Sequence, residues 1–137
     1  MVIGVGIDLV EVERIRSSWQ RFGERFARRI LCPAELEYCL SFSHPETHLA
    51  ARFAAKEAIS KALGTGIGQQ LGWQDMEVLR RDTGQPEAII HGPARQLLAG
   101  RGVHRILLSL THTSRYAAAV AILDSEAPKE SGPPPGP

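Results

Sequence analysis

The sequence has no apolar run approaching the ~20 residues that a membrane helix requires. Its start has no basic segment ahead of an apolar one, and Asp8, Glu11 and Glu13 come early. Neither a membrane span nor a secretory leader is therefore expected. Its net charge is small, +1, so bulk charge does not mark it as a nucleic-acid binder, and no nucleic-acid reading motif is present. There are only two cysteines, Cys32 and Cys39. They lack metal or redox spacing, and free thiols in a reducing cytoplasm are expected rather than a disulfide. His44, His48, His91 and His104 form no spaced cluster of the zinc-binding kind. No internal repeat is found.

What is present describes one soluble domain of 137 residues with a modest core, 43% apolar and 23% charged. The charge is unevenly placed. Arg14, Arg16, Arg21, Arg25, Arg28 and Arg29 face only Glu24 between positions 14 and 29. The first ten residues are β-branched and glycine-rich, which predicts a strand. From Val12 the period changes: Val12, Ile15, Trp19, Phe22 and Phe26 recur at helical spacing, with Gly23 as a point of interruption. Pro33 to Leu40 reads as a short helix opened by its proline. The alanine-rich stretch from about Pro45 to Leu63 is the strongest helix, stopped by Gly64. Met76–Leu79 and Ala88–His91 read as strands around the turn Asp82–Pro86, and Pro93–Ala99 as a helix. Arg105–Leu110 and Tyr116–Leu123 read as an antiparallel pair. The tail from Ser125, rich in Pro, Gly, Glu and Lys, is expected to be disordered. This order predicts an α+β fold with a mainly antiparallel sheet, a long helix packed on it, and all helices on one face.

Chemistry is concentrated in a few places. Asp8 closes an apolar run, and an isolated carboxylate is expensive to bury. It is either a metal ligand or the N-cap of the next helix. On the long helix Phe53, Glu57, Ser60 and Lys61 share a face. Glu57 and Lys61 are thus one turn apart, ahead of Gly64-Thr65-Gly66-Ile67-Gly68. They are either a metal-binding acid beside a phosphate-binding lysine or an ordinary i,i+4 pair worth ~0.2–0.5 kcal/mol. The loop lacks the lysine and Ser/Thr of a P-loop and does not match GxGxxG. It is either a turn or a place where unobstructed amides approach phosphates. His112, between two strands, is either a hairpin residue or a phosphate or proton ligand.

GIDLVEVERI at 6–15, RFAAKEAISKALGTGIG at 52–68, DTGQP at 82–86 and SLTHTSRYAAAVAIL at 109–123 occur together, in order, over residues 2 to 124. In this combination the chain resembles holo-acyl-carrier-protein synthase, the short type of 4′-phosphopantetheinyl transferase. The resemblance implies the half-fold of that family in 1–124, followed by an extension at 125–137. It implies Mg²⁺-dependent transfer of the 4′-phosphopantetheine arm of coenzyme A to a serine of apo-acyl-carrier protein, with release of adenosine 3′,5′-bisphosphate. Asp8 and Glu57 are the implied Mg²⁺ ligands. Glu57 and Lys61 are the implied catalytic pair, and Lys61, Gly64, Gly66 and His112 the implied coenzyme A contacts. Docking of the acidic carrier protein is implied on the first helix, at Arg14 and Arg21. A homotrimer with sites between subunits, in the cytoplasm, is implied as well.

Overall fold

In the computed structural model, residues 1–125 and 136 are described. The tail expected to be disordered thus lies almost wholly outside the described residues. The elements run β1 (Val2–Glu11), α1 (Val12–Phe22), α2 (Glu24–Ile30), α3 (Pro33–Leu40), α4 (Glu46–Leu63), a 3₁₀ turn at Trp73–Asp75, β2 (Met76–Arg80), β3 (Pro86–Ile90), α5 (Ala94–Gly100), β4 (Val103–His112) and β5 (Tyr116–Ser125). The α+β reading is borne out. All pairings are antiparallel, in a three-stranded sheet of order β1-β5-β4 and a separate β2-β3 hairpin.

The expected first helix is divided. Gly23, at φ 58°, ends α1 and opens α2. Val12 and Ile15 are buried, and Trp19 packs against the core. Phe22, expected on the same buried side, is exposed, with the Arg21 guanidinium 5.1 Å from its ring centre. The break ends the helical period at Phe22, and α2 contributes its own buried residues, Ala27 and Ile30.

Strand register sorts the main sheet into two faces. Gly4, Gly6, Asp8 and Val10 of β1 stand opposite Leu123, Ala121, Ala119 and Ala117 of β5. Those in turn stand opposite Ile106, Leu108, Leu110 and His112 of β4. Ala117, Ala119, Ala121 and Leu123 are buried, and this is the face that α4 covers. A Cβ on Gly6 would overlap the carbonyl oxygen of Ala58 and stand 2.7 Å from the Ala62 nitrogen. Only glycine allows the helix backbone to lie this close to the strand. Small residues on both sides, Gly and Ala in the sheet and Ala in the helix, set this short separation.

The opposite face of β1 is uncovered. Val5, Ile7 and Leu9 are 62%, 63% and 66% exposed, and Leu107 of β4 is exposed on the same face, across β5. β1 is also a sheet edge. Apolar residues at alternate positions of an edge strand form an exposed patch of the kind that other protein surfaces cover.

A buried ion pair fastens the remaining elements to α4. Lys56 and Glu35 are both fully buried. The Lys56 ammonium donates to Glu35 Oε1 at 2.7 Å, to the Ile30 carbonyl at 2.7 Å and to the Trp73 carbonyl at 3.1 Å. Glu35 also accepts from the amides of Cys32 at 2.8 Å and Val78 at 2.9 Å. Arg52 Nε stands 4.0 Å from Glu35 Oε2, and its guanidinium lies 4.4 Å from the Tyr38 ring centre. The pair therefore ties α2, α3, the 3₁₀ turn and β2 to α4. Cys32 and Cys39 are buried and free. Burial pushes both thiols up to about 11, so they are protonated at neutral pH.

Removing one partner of this pair strands a buried charge. Lys56→Met should cost ~3–5 kcal/mol in urea unfolding, and Glu35→Leu with Lys56→Met together should cost clearly less than Lys56→Met alone. A single-variant cost below ~1 kcal/mol would show that the pair is not a structural tie.

Candidate active site

Two elements build the centre of the site. β1 carries Asp8 on its helix-facing side, and α4 carries Glu57 and Lys61 one turn apart. The close approach at Gly6 brings them together. Lys61 Nζ donates to Asp8 Oδ1 at 2.9 Å and to the Ile7 carbonyl at 3.1 Å. The Asp8 side chain is 14% exposed and that of Lys61 is 52% exposed. The sequence reading left Asp8 open between a helix cap and a site residue. No cap hydrogen bond is made at the start of α1, and the carboxylate instead turns toward α4.

Glu57 is partly buried beside Asp8. Its carboxyl is raised above the ordinary value, first by burial and then by the Asp8 charge, while Lys61 and Arg14 pull it back. Two carboxylates in one field disfavour each other's ionisation unless a cation joins them. Oxygen donors of this type suit a hard divalent cation such as Mg²⁺ better than a softer one. The residues present therefore fit the metal that the resemblance implies. Arg14, which offsets the rise at Glu57, is exposed on α1. Arg21 lies at the far end of α1, over Phe22.

The glycine loop departs from expectation. Gly64 takes φ +76°, a left-handed conformation that suits glycine, and it ends α4 as predicted. But the amide of Gly64 donates to Lys61, and those of Thr65 and Gly66 donate to Ser60, at 3.0 to 3.3 Å. These amides satisfy the last carbonyls of the helix and are not free to cradle a phosphate. What the loop offers is open space: a Cβ at Gly66 would meet nothing within 4 Å. Arg101 donates to the Leu63 carbonyl next to this loop.

His112 stands elsewhere. It ends β4, at the sheet edge opposite β1, two strand spacings (~10 Å) across the sheet from the Asp8 edge. There it lies 5.9 Å, ring centre to ring centre, from His48 of α4. His48 in turn stacks on Phe42 at 3.7 Å. The His48 ring is held below its usual value by burial and then by the charges of His112, Arg52 and Arg80. This edge is electropositive and aromatic, a combination suited to an anionic, flat-ringed ligand. Sequence reasoning singled out only His112 here. His48 and Arg52 lie one turn apart on α4, while Phe42 and Arg80 come from other segments, and together their spacing carries no motif.

The fold and the acid–lysine centre define a class, and the comparisons narrow it. The family model for the 4′-phosphopantetheinyl transferase superfamily matches residues 4–121. The holo-acyl-carrier-protein synthase of Chlamydia trachomatis serovar L2 is 50% identical over 123 residues, covering 90% of this chain and all of that one. The crystal structure of the Neisseria meningitidis holo-acyl-carrier-protein synthase matches at a TM-score of 0.84 and 36% identity, over 91% of this chain and 100% of that one. The Bacillus anthracis synthase, in complex with CoA (3′,5′-ADP), matches at a TM-score of 0.78 and 34% identity, over 92% and 99%. The chain belongs to the 4′-phosphopantetheinyl transferase superfamily and, within it, to the holo-acyl-carrier-protein synthases, which are enzymes.

The raised Glu57 carboxyl sets a pH dependence. A carboxyl held above its unfolded value of 4.5 contributes stability at low pH and loses it as pH rises through the folded value. Without divalent cations, Glu57→Gln should therefore melt above the wild type at neutral pH. The gap should close as pH falls toward 4.5. Thermal melts across that range in chelator check this; a variant that melts lower at neutral pH would contradict it.

Proposed function

We propose that the protein transfers the 4′-phosphopantetheine arm of coenzyme A to a serine hydroxyl of apo-acyl-carrier protein, releasing adenosine 3′,5′-bisphosphate. Membership of the synthase family supports the reaction. The observation that carries the residue assignment is the convergence of Asp8, Glu57 and Lys61 from β1 and α4. Asp8 and Glu57 would hold Mg²⁺, which when bound neutralises charge on the pyrophosphate of coenzyme A. Lys61, half exposed on a flexible stem, can leave Asp8 and meet a phosphate oxygen. The reaction breaks the phosphoanhydride bond of coenzyme A and joins its 4′-phosphopantetheine phosphorus to the serine oxygen. Negative charge grows on the leaving phosphate, where the Lys61 cation is most effective. Glu57, directly or through a water, would accept the serine proton. Gly64 and Gly66 leave room for the ligand beside Lys61. His112, with His48 and Phe42, suits the nucleotide portion.

The acid pair and the His112 edge lie apart in one chain, and the outward apolar face of β1 is uncovered. Both features support a homotrimer whose sites form between subunits. No helix among the described residues is long and apolar enough to cross a membrane, which agrees with a cytoplasmic location.

Incubation of the protein with apo-carrier protein, coenzyme A and Mg²⁺ should add one phosphopantetheine mass to the carrier. Asp8→Asn or Glu57→Gln should slow this ~100-fold or more while the fold persists by circular dichroism. Near-normal rates in both variants at low Mg²⁺ would remove the acid pair from the chemistry. Sedimentation of the same active protein should give a trimer; a fully active monomer would exclude shared sites.

Arg14 and Arg21 are exposed on α1, and Arg14 lies close enough to bias Glu57. They would meet the acidic carrier protein through encounter electrostatics screened within ~8–10 Å. Arg14→Glu with Arg21→Glu should raise KM for the carrier ~10-fold or more and KM for coenzyme A little, and added salt should act likewise on the wild type. Equal effects on both KM values would rule out α1 as the docking surface.

A further inference from the structure

We propose that Cys32, Glu77 and His91 form a second metal site, selective for a borderline thiophilic cation of the Zn²⁺ class and separate from the acid pair. The three come from distant parts of the chain: the residue before α3, the second position of β2, and the residue after β3. Their ligand atoms, one from each, all lie within 4.8 Å of one another. His91 Nε2 is already 3.2 Å from Glu77 Oε1. Tetrahedral Zn²⁺, with bonds of ~2.0–2.3 Å, needs donors ~3.3–3.7 Å apart, so the closure required is small.

The supports of the three donors are rigid. The Cys32 amide donates to Glu35, its thiol stands 3.4 Å from the Gln74 carbonyl, and the His91 amide donates to the Asp75 carbonyl at 2.8 Å. The Glu77 side chain is 14% exposed and that of His91 is 49% exposed, so the His91 side provides the entry path and leaves the fourth position open. A sulfur, a nitrogen and one carboxylate match Zn²⁺ or Co²⁺ and are poor for Mg²⁺, which takes oxygen. Binding displaces the thiol proton to solvent and requires the neutral imidazole with its hydrogen on Nδ1. The ion would tie the start of α3 to both strands of the β2-β3 hairpin, through the same Cys32 whose amide binds Glu35.

The full chain, reduced and stripped with chelator, is titrated with Co²⁺ in excess Mg²⁺. One equivalent should bind, with a thiolate-to-cobalt charge-transfer band that Zn²⁺ bleaches and Mg²⁺ does not. Cys32→Ser should lose the band, and His91→Ala, at an exposed position that should not disturb folding, should weaken Co²⁺ affinity ~100-fold. Cys39→Ser and Glu57→Gln should leave both unchanged. The site is overturned by any of three results in protein with native circular dichroism: no charge-transfer band, a band that survives Cys32→Ser, or unchanged affinity in His91→Ala.

Discussion

The close contact between β1 and α4 is the constraint on which the site depends. It exists because the strand presents glycine to the carbonyl of Ala58 and the nitrogen of Ala62, where any side chain would collide. Two residues farther along the same face is Asp8. Glu57 and Lys61 immediately precede Ala58 and Ala62 on the helix. A wider separation would leave an aspartate on an edge strand and a glutamate on a helix with solvent between them. The alanines at 117, 119 and 121 are buried beneath the helix. Small side chains in this layer contribute little apolar area each, and their effect is mainly geometric.

Adjacent residues on α4 have opposite tasks. Lys56 points away from the acid pair into the interior, where it meets Glu35 and two carbonyls. Glu57 points toward Asp8 and remains partly exposed. The buried pair gains its stability only because every donor and acceptor is matched, and by fastening α3 and β2 it holds α4 in place. The two ends of one dipeptide thus join the scaffold to the chemistry. The Glu57 carboxyl is raised first by burial and then by the neighbouring Asp8, and Lys61 and Arg14 offset part of this.

Much of this was legible before the fold was known. The β-branched, glycine-rich start, the helical period after Val12 and the uninterrupted alanine-rich stretch ending at Gly64 predict their elements because backbone geometry acts locally. Asp8, Glu57 and Lys61 stood out because an acid in an apolar run and an acid one turn before a lysine are local signals. Phe22 was misjudged because a helical wheel shows which residues share a face but not how far along the helix the core reaches: Phe22 is the last residue of α1 and is exposed. The loop at 64–68 was left open between a turn and a phosphate loop because glycine content signals conformational freedom but not which carbonyls hold the amides.

The sequence by itself determined most of the element order and the family, and it singled out the acids and lysine of the proposed site, since motif spacing and periodicity are properties of the chain. Tertiary structure alone decided that Lys56 is buried against Glu35, that Asp8 pairs with Lys61, and that His112 lies with His48 and Phe42 on the opposite sheet edge. It alone gathered Cys32, Glu77 and His91, which are 45 and 14 residues apart in turn. Such groupings are set by strand register and by which backbones can approach, and neither is encoded in the spacing of the residues that meet.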